Sequence, residues 1–288
     1  MHTSRYISLI IAAACASIAS WCQAAQPLSP EQALSYLRIA DLQFSPDGSQ
    51  LAYVVVSYRW DALPRLQVTT VATGETRELT PALKSERAPQ WSSDGKWLAF
   101  LSNRGGARQV YVVSSAGGEV TALTARNYGV EKFHWSPDGR RIAYLAKEDT
   151  APEPGQGPQV ADLEANLARL WVVDVSSKAT RRLGTAGYGI DDFQWQDTKH
   201  LLVTATDRPD IEEHTNKVYG IATDEGAFRP IATPPQPFDS LLVSPDGKRF
   251  AVRSTSANGP IPRDLFVTTT RMQRYVMSRR QQVWRLQM

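Results

Sequence analysis

The chain has 288 residues, 42% hydrophobic and 21% charged, with a formal net charge of +3. These proportions describe a soluble globule able to bury a substantial core, and the charge is too small to argue for a nucleic-acid partner. Both cysteines, Cys15 and Cys22, lie near the amino terminus. The rest of the chain therefore has no thiol, no disulfide and no cysteine-based metal site.

Arg5 precedes an apolar run from Tyr6 to Ser20 that is rich in Ile and Ala. Cys22 and Ala24 then supply small residues at the −3 and −1 positions of a signal-peptidase site. Residues 1–24 are expected to be a secretory signal peptide cleaved after Ala24. The run is short for a retained membrane anchor. A lipoprotein signal at Cys15 would want a bulkier residue than Ala12 three places upstream. The expected destination is the periplasm, with no stable membrane span after cleavage. Residues 25–39 form a lead-in segment. Within it Ser29 reads as an N-cap, Pro30 as the first helical residue and Gln32 as the capping-box partner of a short helix.

From Ala40 a unit repeats. A strand-like segment runs five times into a similar turn: Phe44-Ser45-Pro46-Asp47-Gly48, Trp91-Ser92-Ser93-Asp94-Gly95, Trp135-Ser136-Pro137-Asp138-Gly139, Trp195-Gln196-Asp197-Thr198 and Val243-Ser244-Pro245-Asp246-Gly247. Counted Asp to Asp, the intervals are 47, 44, 59 and 49 residues. A period of this size with strand chemistry predicts an array of small β-sheets. In the turn, Pro presets φ at the second position, Asp suits the third and Gly takes the left-handed conformation that returns the chain antiparallel. The serine hydroxyl is placed to accept from the backbone just beyond. The fourth turn, without Pro or Gly, is the weakest match.

Each unit holds four strand-like pieces, apolar and β-branched runs between Gly, Pro and Asp clusters. The second reads Ala88–Trp91, Lys96–Ser102, Gln109–Ser114 and Val120–Leu123. The expected fold is all-β, a β-propeller of four-stranded antiparallel blades over residues 40–270 with about five units present. Four are expected complete, at about 40–80, 87–124, 131–184 and 191–233, and a fifth starts at Asp239 and is incomplete or irregular. Strand alternation sends the Asp-Gly turns to one face. The longer second-to-third connections, Tyr58–Arg65, Lys147–Ala168, Arg208–Asn216 and Ala257–Arg263, go to the other, where binding loops are expected. Residues 271–288 carry five arginines and no acid. They are expected to be an atypical, non-native tail, or else the fourth strand of the fifth blade.

The stretch Leu28-Ser-Pro-Glu-Gln-Ala-Leu, followed by Ala40-Asp-Leu-Gln-Phe-Ser-Pro-Asp-Gly-Ser-Gln-Leu-Ala-Tyr-Val54, resembles the opening of the prolyl oligopeptidase family of serine peptidases, on its acylaminoacyl-peptidase-like branch. TolB-like periplasmic propellers share the turn motif. The resemblance implies a propeller of about seven or eight blades that acts as lid and size filter over an α/β-hydrolase domain. The nucleophile of that domain needs Gly-x-Ser-x-Gly, and no such motif occurs in these 288 residues. The reading is a truncated, non-catalytic propeller portion of such a peptidase, with no catalytic residue, cofactor or metal assigned. A TolB-like protein–protein interaction module is the alternative. The implied partners are a peptide substrate or a protein on one propeller face, or a separately encoded hydrolase domain.

Three residues stand out as contacts for substrate or partner. His134 lies on a first strand, at a place taken by Gln43, Gln90, Gln194 and Leu242 in the other units, and this ring of positions could border a central channel. The competing reading makes it a polar residue satisfied between blades. Glu212 and Glu213 fall in a loop on the long-loop face, where a carboxylate pair suits an ammonium group or forms a solvated acidic loop. Phe44, Trp91, Trp135 and Trp195 are expected as inter-blade core. The turn aspartates, one per unit, cannot converge on one metal ion.

Overall fold

The computed structural model describes residues 37–57, 63–80, 84–148, 167–209, 215–254 and 264–270. The lead-in helix, Glu212, Glu213 and the arginine-rich tail lie outside them. The chain divides into two compact units, Met1–Leu37 with Ser57–Ala62, and Arg38–Val56 with Leu63–Met288. Of the first, only Leu37 and Ser57 are described, so the account below concerns the second.

The described residues form strands and turns, with no helix among them. Blade 1 is built from β1 (Leu37–Phe44), β2 (Gln50–Ser57), β3 (Arg65–Thr70) and β4 (Thr76–Glu78). Blade 2 follows with β5 (Glu86–Trp91), β6 (Trp97–Ser102), β7 (Gln109–Ser114) and β8 (Thr121–Ala122). Blade 3 contains β9 (Val130–Trp135), β10 (Arg141–Lys147), β11 (Ala168–Asp174) and β12 (Thr180–Leu183). Blade 4 contains β13 (Gly189–Trp195), β14 (His200–Thr206), β15 (Lys217–Ala222) and β16 (Arg229–Ala232). Blade 5 has three strands among the described residues, β17 (Phe238–Val243), β18 (Arg249–Ser254) and β19 (Asp264–Thr269). Within each blade the strands pair in chain order, as short antiparallel connections favour.

The Ser-x-Asp-Gly turns close as a local network. The amide of Gly48 donates to Ser45 O at 2.9 Å, with Gly48 at φ 71°. Ser45 Oγ donates to Asp47 Oδ1 at 2.6 Å and accepts from the Gln50 amide at 2.9 Å, while Asp47 Oδ1 accepts from the Ser49 amide at 3.1 Å. The same bonds recur around Asp94, Asp138 and Asp246. Hydrogen bonds to the ionised form hold these carboxyls below their ordinary range, Asp47 down to about 2, with the Ser45 hydroxyl as the largest cause. The fourth turn reaches the same end without Pro or Gly. Asp197 Oδ1 accepts from the amides of Lys199 and His200 at 2.7 and 2.9 Å.

Successive blades pack face to face. Ala52, Leu66 and Val68 of blade 1 meet Trp91, Leu98, Phe100 and Tyr111 of blade 2. Ala99, Leu101, Val110 and Val112 meet Phe133, Trp135, Ile142 and Tyr144. Two further clusters join blade 3 to blade 4 and blade 4 to blade 5. Each fully buried Leu, Val or Phe contributes about 1.5–3 kcal/mol, so these four joints are the main stabilisation of the fold. Among the described residues no core cluster joins blade 5 to blade 1.

Each joint also carries directed bonds. Trp91 Nε1 donates to Gln43 O at 3.2 Å, Trp135 Nε1 to Gln90 O at 2.9 Å, and Trp195 Nε1 to His134 O at 3.0 Å. One indole thus reaches back to the same position of the preceding blade three times. Phe44 departs from its expected role as core. It is 60% exposed, whereas the three tryptophans are buried. The reason is positional: the residue at this register is covered by the blade before it, and blade 1 has none before it among the described residues.

Candidate functional site

The first strands of neighbouring blades touch one another, β5 with β9, β9 with β13 and β13 with β17, so their side chains meet on the inner side of the array. Nearly all of these strands are bulged. Pairing slips between Arg87 and Gln90, between Ile190 and Asp192, and between Asp239 and Leu242, and β9 slips opposite Leu145 and Ala146. Asp41, Ala88 and Ser240 take positive φ at the corresponding places. A bulge re-aims the adjacent side chains, and here it turns polar groups along the inner wall toward the next blade.

His134 lies on that wall, as its strand position implies. Its ring packs edge-on against Phe193 at 5.3 Å, and its Nε2 lies 3.4 Å from Gln194 Nε2. An amide donor facing Nε2 makes that nitrogen the acceptor and places the neutral ring's proton on Nδ1. Burial, helped by the charge of Lys132 and opposed by that of Asp192, lowers the imidazole to about 4. His134 is therefore neutral over the physiological range. Gln90, at the equivalent place in blade 2, donates to Phe133 O at 2.9 Å. Both side chains bridge to the following blade.

The charged groups beside them are also shared between blades. Lys132 of blade 3 pairs with Asp192 of blade 4. Asp192 in turn accepts from the Leu241 amide of blade 5 at 3.3 Å, as Asp41 of blade 1 accepts from the Ala88 amide of blade 2 at 2.9 Å. Asp191, next to this group, bonds Asn216, and burial pushes its carboxyl up.

On the long-loop face Glu86 is 1% exposed. It accepts from the Leu66 amide of blade 1 at 2.9 Å, from the Thr80 hydroxyl and from Arg104 of blade 2 at 2.5 Å. The Arg104 guanidinium also lies 5.2 Å from the ring centres of Phe100 and Tyr111, a favourable arrangement for a cation. In blade 3 Arg126 stacks on Trp171 at 3.4 Å to the centroid. Among the described residues no cluster of three or more His, Cys, Asp and Glu groups is arranged to hold a metal ion.

Of the three residues singled out from sequence, the structure places His134, and Glu212 and Glu213 lie outside the described residues. Sequence reasoning missed Glu86. Its signal was the repeat itself, because Val130, Ile190 and Phe238 hold the same register in the later blades. A lone acid among apolar equivalents marks a special joint.

Three comparisons bear on this architecture. The PD40 family model, TolB beta propeller domain, matches residues 34–156. Over those residues the blades are similar to a TolB-type β-propeller. Uncharacterized peptidase YuxL of Bacillus subtilis (strain 168) is 35% identical over 107 residues, which is 36% of this chain and 16% of that protein. Dipeptidyl-peptidase 5 of Porphyromonas gingivalis is 34% identical over 86 residues, 29% of this chain and 13% of that one. The chain thus spans less than a fifth of either relative. The crystal structure of TolB from Acinetobacter baumannii superposes with a TM-score of 0.54 at 18% identity, covering 81% of this chain and 52% of that one. At that identity the likeness is one of fold.

Proposed function

We propose that this propeller is the non-catalytic, substrate-gating portion of a secreted, periplasmic peptidase of the prolyl oligopeptidase type, with no peptidase activity of its own. The observation that carries the reading is the 35% identity with a protein named as a peptidase, over a stretch of repeats rather than a catalytic domain. The inner wall suits the role. Its polar side chains are held by neighbouring blades, so the wall is rigid and wettable without being reactive. A size filter needs such a wall, since an unstructured peptide passes a fixed opening and a folded protein does not. The reacting groups, a nucleophile with its base and oxyanion donors, belong to the hydrolase domain that the propeller would cover.

The test has two parts. The purified chain is incubated with a fluorophosphonate probe and with acyl-peptide and dipeptide chromogenic substrates. Neither stoichiometric labelling nor turnover is expected, and labelling of one serine per chain would end the non-catalytic reading. The chain is then added to, or joined with, a hydrolase domain of this peptidase type, and cleavage of short and long peptides is compared. Gating predicts that long or folded substrates lose more rate than short ones. Equal loss for all lengths would favour the second reading, a TolB-like module that docks a protein on one face, for which the superposition on TolB is the supporting observation.

A further inference from the structure

Three places before Phe44 and its equivalents, the five first strands carry Asp41, Ala88, Lys132, Asp192 and Ser240. This register sits beside the bulges, where the ladder to the second strand is interrupted. In blade 5 the pairing of β17 with β18 slips between Asp239 and Leu242, and Ser240 takes φ 59°. The Leu241 amide is thereby turned toward blade 4, on a residue that is 1% exposed. A buried amide needs an acceptor, and Asp192 supplies it.

Asp192 divides its oxygens between two neighbours. Oδ2 accepts from the Leu241 amide of blade 5 at 3.3 Å. Oδ1 accepts from Lys132 of blade 3 and from the Phe193 amide of its own strand, the latter at 2.7 Å. One carboxylate therefore ties blades 3, 4 and 5 together. Its side chain is 15% exposed and that of Lys132 39%, so solvent screens this pair less than a fully exposed one. Asp41 does half of the same task, giving its carboxylate to the Ala88 amide at 2.9 Å. Hydrogen bonds to an ionised acceptor are about twice as strong as neutral ones. A bond to one side fixes a contact, and bonds to both sides fix a spacing.

We propose that Asp192 is a positioning residue of the inner wall, which sets the spacing of the first strands of blades 3 to 5 and thereby the size of substrate that the wall admits. The second half of this statement rests on the gating reading. Both oxygens of Asp192 are engaged by neighbouring strands, so its effect on a substrate runs through the strands it holds. Without the carboxylate, β9 and β17 lose their common tie to β13. Long substrates then gain, and short ones, which already pass, do not.

The experiment compares the purified chain with Asp192→Ala, Asp192→Asn and Lys132→Met. Amide hydrogen exchange reads the link itself. In Asp192→Ala the Leu241 amide should exchange faster by about tenfold or more, while the amides of β6 keep their wild-type rates. Asp192→Asn retains an acceptor for that amide and loses the charge that holds Lys132, so it should leave Leu241 protected. Each chain is then joined to a hydrolase domain of this peptidase type, and cleavage of long and short peptides is compared. The rate for long peptides relative to short ones should rise by about twofold or more in Asp192→Ala, with the short-peptide rate unchanged. A general loss of stability would lower both rates together. If Asp192→Ala fails to fold, Asp192→Asn and Lys132→Met carry the test, and both should raise the ratio by the same factor. A wild-type chain that discriminates by length, with variants that leave the ratio unchanged, overturns the proposal and leaves gating standing. So does a Leu241 amide that exchanges in Asp192→Ala as it does in the wild type. Equal loss at every length in the wild type ends the gating reading and the filter role of Asp192 with it.

Discussion

Glu86 offers the most direct test of how these blades are joined. Its carboxylate is the shared acceptor for an amide and a hydroxyl of blade 1 and a guanidinium of blade 2. Glu86→Val installs the residue that blade 3 carries at the same register. If shape alone mattered the change would be mild. Removing the acid instead strands the Arg104 side chain, which is 12% exposed, and leaves the Leu66 amide without its acceptor. Breaking a buried pair from one side costs about 3–5 kcal/mol. Against a domain stability of about 5–15 kcal/mol, that is a large fraction of the whole.

The double variant Glu86→Val with Arg104→Leu removes both charges. What remains is the Leu66 amide and the Thr80 hydroxyl without this acceptor, about 1–3 kcal/mol each, but the stranded guanidinium is gone, so the pair should cost less than Glu86→Val alone. Urea unfolding of the two single variants and the double gives the coupling directly. A loss below about 1 kcal/mol for Glu86→Val, or a double variant worse than either single one, would refute this account of the joint. The pH dependence supplies a second reading. Burial raises the Glu86 carboxyl above its ordinary value of 4.5. The folded state therefore holds this proton more tightly than the unfolded chain, and the Glu86 contribution weakens as pH rises from 4.5 through the raised value. Glu86→Gln should flatten that slope.

Three further outcomes follow. Gly48→Ala and Gly247→Ala both force a left-handed conformation at φ 71° and 68°, at about 1–2 kcal/mol each. A Cβ at Gly247 would also lie 2.3 Å from Gln196 O, whereas none meets anything within 4 Å at Gly48, so thermal unfolding should show the larger loss at Gly247. For His134 the folded value, about 4, lies below the ordinary 6.5. The unfolded chain takes up the proton first, so this contribution is lost as pH falls through that window, and His134→Gln, the residue of blades 1, 2 and 4, should remove the slope. The turn carboxylates act lower. Asp47 is held at about 2 against an ordinary 3.8, so its contribution is lost as pH falls from 3.8 toward about 2, and Asp47→Asn should abolish that part of an acid-unfolding curve.

The turns were legible in the sequence because every group they need lies within six residues. Serine, aspartate and glycine carry their own bonding pattern, and a five-fold repeat of that pattern gave the array. The fourth turn shows why Pro and Gly are helpful without being necessary, since Asp197 secures it through two amides. What sequence could not supply was the identity of the neighbour. Periodicity assigns the same environment to every unit, so Phe44 was expected to be buried like the tryptophans it aligns with. Burial at that register depends on a preceding blade, which is a property of the array and not of the unit. Lys132, Asp192 and Glu86 escaped for the same reason, because their partners lie one blade away and at no fixed sequence distance.

This distinction also bears on the inner wall. His134 and Gln90 sit where a channel-lining contact is expected, yet each directs a polar atom to the next blade, at Gln194 and Phe133 O respectively. Such side chains set the spacing of the wall before they meet any substrate, and a change at either position first disturbs a joint. Leu242, the fifth member of the ring, is 60% exposed, and among the described residues no blade follows it. The two facts have one cause. Inner-ring side chains that reach the following blade are held by it, and Gln90 and His134 make the wall firm from blade 2 to blade 4.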